Sequence, residues 1–218
     1  MTSIMLFIFI FVLLFVIFKA KIRIKWRTFP HKGITARRGK FGVYCYCGKQ
    51  GTGKTYSVVE FLNENKDKKI YANLKSIKGI KYQSINNFKE LLELRSEENC
   101  IIFYDEIFTA LTKHSKLNTE VLDFLSQMRK RKIIFLTTAQ EWAEIPLTFR
   151  RYCRYQIDCS IFTLFKSILI KRFYDAENMK WSQDDNDFIA PILETSISKM
   201  QKRIANSYDT FEQISNVS

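Results

Sequence analysis

The most constraining feature of the sequence is the segment GKQGTGKT, residues 48–55. It fits the pattern G-x-x-x-x-G-K-[ST], in which glycines let backbone N–H groups surround phosphate oxygens while the lysine and the hydroxyl reach the terminal phosphates and Mg²⁺. We therefore expect a site for a nucleoside triphosphate. The predicted cradle is made of Gly48, Lys49, Gln50, Gly51, Thr52, Gly53, Lys54 and Thr55.

Short apolar runs alternate with helical patterns from residue 41 onward. Strands are predicted over residues 41–47, 68–74, 99–107 and 133–140, and helices over residues 54–65, 84–97 and 118–132. This alternation predicts an α/β fold, a P-loop NTPase with a mostly parallel sheet flanked by helices.

The C-terminal part of the sequence has a different pattern. Residues 151–162 and 163–175 have little helical signal and are predicted to be an antiparallel strand pair at one edge of the sheet. Residues 190–206 are predicted to form an amphipathic helix, followed by a loose polar tail. The predicted organisation is a transmembrane helix (2–18), a basic juxtamembrane linker (19–40), an ATPase domain (41–183), and a C-terminal helix with its tail (184–218).

An acid pair, Asp105 and Glu106, ends the third predicted strand and is similar to a Walker B signature. In parallel sheets the ligand lies at the carboxyl ends of the strands, so we expect both acids beside the phosphate loop. Asp105 would hold Mg²⁺ together with Thr55, and Glu106 would orient and deprotonate the attacking water. Lys54 would contact the β- and γ-phosphates. The competing interpretation is a surface acid pair that closes a strand.

Further polar residues follow the fourth predicted strand. Gln140 stands where a side chain could sense the γ-phosphate, or it could be a solvated residue at a helix start. Arg150, Arg151 and Arg154 come soon after it. One of them could act as an arginine finger on a neighbouring subunit, with Arg150 or Arg151 preferred. The alternative is that these arginines form surface or interface salt bridges.

The N-terminal 18 residues, MTSIMLFIFIFVLLFVIF, carry no charged side chain. Eighteen helical residues reach about 27 Å, close to the roughly 30 Å thickness of a bilayer core. Basic residues follow the apolar run, whereas a cleaved signal peptide has them before it. The sequence therefore predicts a retained single-pass anchor with the remaining chain on the cytoplasmic side. A buried core helix is the alternative.

Positive charge is concentrated after this segment. Residues 1–40 hold nine Lys or Arg and no acid, so the remaining chain keeps only +4 of the formal charge of +13. The alternating segment 21–27 is interpreted as an anchor on anionic lipid headgroups, with a track for nucleic-acid phosphates as the alternative. The five cysteines lie in apolar runs without C-x-x-C spacing, which favours buried thiols and a reducing, cytoplasmic location.

Several absences separate classes of P-loop protein. No glycine follows Gly79, which excludes the D-x-x-G switch of GTPases and the glycine-rich signature loop of transporter ATPases. The segment NKDK lacks the N-K-x-D spacing that selects guanine. A small-molecule kinase remains possible, but it gains nothing from a D-E acid pair or from a membrane anchor.

Four segments together resemble the FtsK/HerA superfamily of DNA-pumping ATPases. They are GKQGTGKT, IYANLKSIKGI, IIFYDE and FLTTAQEWAEIPLTFRRYCRY. The resemblance is to the packaging ATPases of tailless membrane-containing viruses and to the related zonular-occludens-toxin-like assembly ATPases of filamentous phages. It implies a ring, usually of six subunits, with ATP between neighbours and duplex DNA in the pore. It also implies that Gln140 is the sensor and that Arg150 or Arg151 is the finger.

The expected function is that of a membrane-anchored ATPase motor that packages viral double-stranded DNA, with ATP and Mg²⁺ as cofactors and with virion or assembly proteins as further partners. The membrane would be that of the host cell or of the virus. Phage assembly and extrusion, or a nucleotide-binding scaffold with little hydrolysis, are the alternatives. Candidate pore residues follow the second and third strands; they are Lys75, Lys78, Lys81, Lys113, His114 and Lys116.

Overall fold

The computed structural model describes residues 2–19, 22–25, 40–74, 76–107, 119–162 and 168–208. In the first two of these ranges, only the side chains of residues 5–16 are described. The helices are α1 (Thr2–Lys19), α2 (Lys54–Glu64), α3 (Phe88–Glu93), α4 (Thr119–Gln127), α5 (Leu147–Arg150) and α6 (Lys202–Ala205). The strands are β1 (Ile22–Lys25), β2 (Gly42–Cys47), β3 (Lys69–Ala72), β4 (Gln83–Ser84), β5 (Cys100–Tyr104), β6 (Ile134–Ala139), β7 (Cys153–Ile161), β8 (Ile168–Asp175), β9 (Lys180–Ser182), β10 (Asp187–Ile189) and β11 (Ile192–Lys199).

One sheet contains nine of the described strands, in the order β1-β11-β8-β7-β2-β6-β5-β3-β4. Neighbours from β7 to β4 are parallel, which confirms the predicted parallel α/β sheet. Strands β7 and β8 are antiparallel, as predicted. The two short strands β9 and β10 form a separate hairpin.

The central strands are largely apolar because helices cover both faces of the sheet. Every residue of β2, β5 and β6 is buried. On one face α2 packs against β2, where the rings of Tyr44 and Phe61 are 6.0 Å apart. On the other face α4 packs against β6, where the rings of Phe124 and Phe135 are 5.9 Å apart. All five cysteines are buried free thiols, as predicted.

The helix predicted over residues 190–206 is wrong. Ile192–Lys199 form β11, which pairs antiparallel with β8, and only the short helix α6 follows it. Buried and less buried positions alternate along β11, and its Ile and Thr residues are β-branched, both of which suit a strand. The antiparallel pair β7 and β8 therefore does not end the sheet, because β11 and β1 extend it further.

The basic segment after α1 also differs from expectation. Ile22–Lys25 form β1, which pairs parallel with β11, so this part of the predicted juxtamembrane linker is a strand of the ATPase sheet. The alternation of isoleucine with a basic residue fits a strand at least as well as a lipid-binding segment.

The α1 helix is unusual for its exposure. Its described side chains, residues 5–16, are all exposed, with exposed fractions from 45% to 75%. In the part of the chain that the structure describes, no helix is both long enough and apolar enough to cross a membrane. The membrane span predicted over residues 2–18 stays a prediction.

Candidate functional site

The phosphate loop connects the central strand β2 to the start of α2, as predicted. Gly53 precedes the helix with a left-handed φ of 87°, and Gly51 has a φ of 76°. The N–H of Gly48 donates to the backbone oxygen of Gln140 at 3.1 Å, so the loop is joined to the end of β6. The loop leads directly into the N-terminus of α2, and a glycine-rich loop before a helix N-terminus is the arrangement that binds phosphate.

Gly48 is in the most crowded position of the loop. It has a φ of 144°, and a Cβ at this position would lie 2.5 Å from Thr52 Oγ1 and 2.7 Å from the backbone oxygen of Cys159. The second contact is with backbone of the neighbouring strand β7, which cannot move aside as a flexible side chain could. The first glycine of the motif is therefore required by the close approach of β7 as well as by its own backbone angle.

We expect Gly48→Ala to abolish nucleotide binding and to lower the stability of the domain, since both its backbone angle and its packing are incompatible with a Cβ. Binding of a fluorescent ATP analogue and the urea unfolding midpoint measure the two effects. Gly79→Ala is the matched control, because Gly79 also has a positive φ but has open space around it. Similar losses in both variants would show that backbone strain, rather than the contact with β7, limits this position.

Lys54 lies across the loop. Its Nζ donates to the backbone oxygens of Gly48 at 2.6 Å and of Lys49 at 3.1 Å. Thr52 Oγ1 donates to the same Lys49 oxygen at 2.7 Å. The ammonium is thus held at the loop without a carboxylate partner among these contacts, and phosphate oxygens can replace the two carbonyl oxygens as its acceptors.

The acid pair Asp105 and Glu106 directly follows β5, two strands from β2 in the sheet. Asp105 is 8% exposed, and its Oδ1 accepts a hydrogen bond from Thr138 Oγ1. The same Thr138 oxygen accepts from the N–H of Glu106 at 2.8 Å. Thr138 therefore fixes both acids at once from the neighbouring strand β6.

Asn73 holds the acid pair from the other side. It follows β3, and its Oδ1 accepts from the N–H of Asp105 at 2.7 Å while its Nδ2 donates to the Asp105 backbone oxygen at 3.4 Å. Asp105 is thus bracketed by side chains from β6 and from the end of β3. Glu106 takes a left-handed φ of 52°, which turns the chain away from the strand direction immediately after Asp105.

The pKa of the Asp105 carboxyl is raised to about 6, mainly by burial; the Thr138 hydroxyl and the Lys54 charge act to lower it, and the nearby Glu106 acts to raise it. Because burial opposes the ionisation of this carboxyl, a nearby cation would stabilise its charged form. Carboxylate and hydroxyl oxygens are also the ligands that Mg²⁺ prefers. The donor set of Asp105 and Thr55, with the latter in the first turn of α2, therefore fits the predicted magnesium site.

Two positioning residues, Asn73 and Thr138, were not predicted from the sequence. A signal was present, because each is a polar residue at the carboxyl end of a predicted apolar strand. Their partners could not be known, since the neighbour relations of β3, β5 and β6 are a property of the sheet order.

Gln140 follows β6 directly, at the carboxyl ends of the parallel strands where the phosphate loop lies, and its side chain is exposed. Its backbone oxygen is already engaged with Gly48. The predicted role of its side chain as a γ-phosphate sensor fits this position and stays a prediction.

The predicted arginines lie near the opposite ends of the parallel strands. Pairing of Val43 with Cys153 and of Cys47 with Asp158 shows that β7 starts beside the start of β2, so Arg150 and Arg151 precede β7 at the edge remote from the loop. Arg150 is 4% exposed, and its NH1 donates to Asp187 Oδ2 at 2.9 Å. Burial and internal pairing do not fit an arginine finger. Arg151 is exposed and stays the candidate.

The structure describes only some of the remaining candidate residues, namely those proposed to line a pore and the third arginine. Lys78 and Lys81 are exposed in the connection that follows β3. Lys75, Lys113, His114 and Lys116 lie outside the described residues. Arg154, the third predicted arginine, donates to the backbone oxygen of Phe41 at 3.0 Å.

The fold and the site define a P-loop nucleoside triphosphatase. Residues 44–161 match the family described as "ATPase family associated with various cellular activities (AAA)". The match spans more than half of the chain, and the chain belongs to this family.

Comparison with solved structures shows a similar fold. The N-terminal domain of zonular occludens toxin from Neisseria meningitidis is 15% identical with a TM-score of 0.56, over 77% of this chain and 98% of that chain. The genome packaging NTPase B204 from Sulfolobus turreted icosahedral virus 2, in complex with ATP-gammaS, is 12% identical with a TM-score of 0.49, over 70% of this chain and 98% of that chain. No curated protein matches the sequence.

Proposed function

We propose that the chain is a membrane-tethered, ring-forming ATPase motor that translocates double-stranded DNA, of the FtsK/HerA type that packages viral genomes. The observation that carries the ATPase part is the acid pair after β5, held by Thr138 and Asn73 at the sheet edge that bears the phosphate loop. This arrangement suits hydrolysis, because one acid can hold a cation while the other activates water.

The roles of the side chains follow from their positions. The N–H groups of the loop and the Lys54 ammonium would bind the phosphates, and Asp105 with Thr55 would hold Mg²⁺. Bound Mg²⁺ would neutralise charge on the β- and γ-phosphates. Glu106 would take the proton of the attacking water, since its backbone is fixed by Thr138 while its turn directs it out of the strand. Gln140 would position the γ-phosphate.

A ring explains how an exposed arginine could contribute to catalysis. Arg151 lies at the edge opposite the phosphate loop of its own chain, so it would reach only the nucleotide of a neighbouring subunit. We propose a ring of six subunits with this contact between neighbours.

DNA as the polymer is supported by the sequence resemblance and by the exposed lysines after β3. The backbone of Lys78 is held in place, because its N–H donates to the backbone oxygen of Ser207 at 2.7 Å. This bond joins the segment after β3 to the chain after α6. The segment therefore has a defined position near the carboxyl ends of the parallel strands, where the phosphate loop lies.

We expect duplex DNA to stimulate ATP hydrolysis by the full chain without sequence preference, and the stimulation to weaken with added salt. Replacing both Lys78 and Lys81 by alanine should reduce the stimulation and leave the rate without DNA unchanged. It should also lower the slope of log DNA affinity against log salt concentration by about two. The measurement is steady-state phosphate release against DNA concentration at several salt concentrations.

The control is Lys89→Ala, which removes an exposed lysine from α3. An ATPase rate that is indifferent to duplex DNA at every salt concentration would contradict DNA translocation. That result would favour the second candidate, an assembly or extrusion ATPase of the filamentous-phage type. The fold likeness to the zonular occludens toxin domain is compatible with it.

The membrane tether is supported by the apolar helix α1. Twelve successive side chains, residues 5–16, are apolar and exposed. Exposed apolar surface of this extent is unfavourable in water and favourable in a bilayer. We propose that α1 attaches the ATPase to the viral or host membrane.

A further inference from the structure

The segment between β8 and β11 is longer than the sheet requires. These two strands are antiparallel neighbours, so a turn of a few residues could join them. Instead, residues 176–191 contain the hairpin β9–β10, in which Asp187 lies opposite Ser182 and the rings of Trp181 and Phe188 are 5.3 Å apart. A two-stranded hairpin is only marginally stable alone, so its contacts with the rest of the protein determine where it lies.

One of these contacts is the ion pair between the hairpin residue Asp187 and Arg150 of α5. Asp187 Oδ2 accepts a hydrogen bond from Arg150 NH1 at 2.9 Å, and Asp187 Oδ1 accepts from the N–H of Phe188 at 2.7 Å. The side chain of Arg150 is 4% exposed, whereas that of Asp187 is 28% exposed. The hairpin therefore holds a carboxylate in a defined orientation against a buried guanidinium.

Arg150 also contacts an aromatic ring. Its guanidinium carbon lies 5.8 Å from the centre of the Trp142 ring. A buried ion pair adds little stability compared with apolar side chains of the same volume, because both charges lose their hydration. Its hydrogen bond is directional, however, and a planar guanidinium restricts the geometry further. The contacts of Arg150 therefore suit the orientation of α5 better than they suit a gain in stability.

The orientation of α5 determines where Arg151 lies. This helix is a single turn, Leu147–Arg150, which is too short to be stable without tertiary contacts. Phe149 is 1% exposed and anchors the helix in the core. Arg150 projects from the next position around the helix, so its hydrogen bond with Asp187 fixes the rotation of α5 about its axis. The N–H of Arg151 donates to the backbone oxygen of Leu147 at 3.1 Å, and the Arg151 backbone therefore follows the helix.

We propose that Arg150 and Asp187 are positioning residues for Arg151, and that the hairpin β9–β10 supports them so that Arg151 points at the nucleotide of the neighbouring subunit. The inference rests on the ring proposed above, in which Arg151 acts between subunits. It gives Arg150 a role in hydrolysis without contact with a nucleotide.

An ion pair that only stabilises the fold is the alternative, and it predicts a different result. Loss of a positioning residue for Arg151 should impair hydrolysis at the site of the neighbouring subunit. Loss of a stabilising contact should impair the chain that carries the substitution. Rings that mix two variants distinguish these cases.

The first measurement is steady-state phosphate release by the full chain. Arg151→Ala should lower kcat about 10³-fold or more. Asp187→Asn should lower kcat by up to about 10²-fold, the loss that a displacement of about 1 Å causes, and leave the KM for ATP unchanged. The double variant should be no slower than Arg151→Ala alone, because Asp187 acts through Arg151. Asp184→Asn, an exposed position of the same hairpin, is the control and should keep the wild-type rate.

The second measurement mixes each variant with a Glu106→Gln chain. That chain lacks the proposed base but keeps Arg150, Arg151 and Asp187. In a mixed ring it offers a correctly held Arg151 to the site of an Asp187→Asn neighbour. The mixture should therefore hydrolyse ATP faster than the sum of the two chains measured separately, and Arg151→Ala should be rescued in the same way.

The outcomes separate this inference from the ring itself. Rescue of Arg151→Ala without rescue of Asp187→Asn would keep the ring and overturn the positioning role, as would a wild-type rate of Asp187→Asn beside an impaired Arg151→Ala. An Arg151→Ala chain that keeps its rate, or that is not rescued, would overturn the contact between subunits and this inference with it.

Arg150→Lys keeps the test decisive if Asp187→Asn does not fold. Lysine keeps the buried charge paired with Asp187 but lacks the planar guanidinium, so this variant should fold with a reduced kcat. Mixing with Glu106→Gln should rescue it as well. A wild-type kcat, or a reduced kcat without rescue, would contradict the positioning role.

Discussion

Glu106→Gln should lower the ATP hydrolysis rate about 10²–10⁴-fold while leaving ATP binding nearly unchanged. The amide has the size and shape of the carboxylate but cannot accept a proton from water. The left-handed backbone of residue 106 and the hydrogen bond from its N–H to Thr138 do not depend on the side-chain charge. Single-turnover hydrolysis and equilibrium binding of ATP measure the two quantities separately.

Glu93→Gln, the same change at an exposed position of α3, serves as the control and should hydrolyse ATP at the wild-type rate. A Glu106→Gln variant that keeps its turnover would rule out Glu106 as the base and support a nucleotide-binding scaffold. A variant that loses ATP binding as well would show that Glu106 holds the cation or the loop.

Asp105→Asn should stabilise the nucleotide-free protein near neutral pH and abolish Mg²⁺-dependent ATP hydrolysis. Ionisation of Asp105 is opposed by burial, and a pKa of about 6 against the ordinary 3.8 corresponds to roughly 3 kcal/mol. Asparagine keeps the acceptor oxygen for Thr138 and carries no charge. The stability gain and the loss of activity have one cause, because the site keeps a carboxylate that only a cation compensates.

The pH dependence of stability tests this explanation. Because the folded pKa lies above the unfolded value, the folded state binds more protons between about pH 4 and pH 6. The wild-type contribution of Asp105 to the unfolding free energy therefore falls as pH rises through this window and stays low above it. Asp105→Asn should lack this fall, so that its advantage in urea unfolding appears at pH 7.5 and disappears at pH 3.5. An exposed control, Asp123→Asn, should show no such difference.

The parallel half of the fold was predictable because its signals are local. A glycine-rich loop between an apolar strand and a helix, and an acid pair ending a strand, each specify chemistry within a few residues. The boundaries of β2, β6 and α2 followed from the same periodicity, whereas β5 ends at Tyr104, three residues before the predicted end of that strand.

The outer half of the sheet was not predictable in the same way. Residues 190–206 have apolar positions compatible with both a helix and a strand, and pairing with β8 decided between them. The basic segment 22–25 likewise gained its strand structure from β11. In both cases the deciding partner is distant in sequence.

The site shows the same division between local and distant information. Lys54, Asp105 and Glu106 were identified from motifs, whereas Thr138 and Asn73 became visible only as neighbours of Asp105. The contact of Arg150 with Asp187 could not be predicted either, because sequence spacing does not show that Asp187 reaches it.

The pairing of β1 with β11 also sets an order of events during synthesis. The first strand of the chain has its partner at Ile192–Lys199, near the other end. About 170 residues separate β1 from that partner, so most of the chain is made after β1 and before the partner exists. The N-terminal segment is thus made long before the sheet can be completed, and the last strand to join β8 also creates the place where the first one docks.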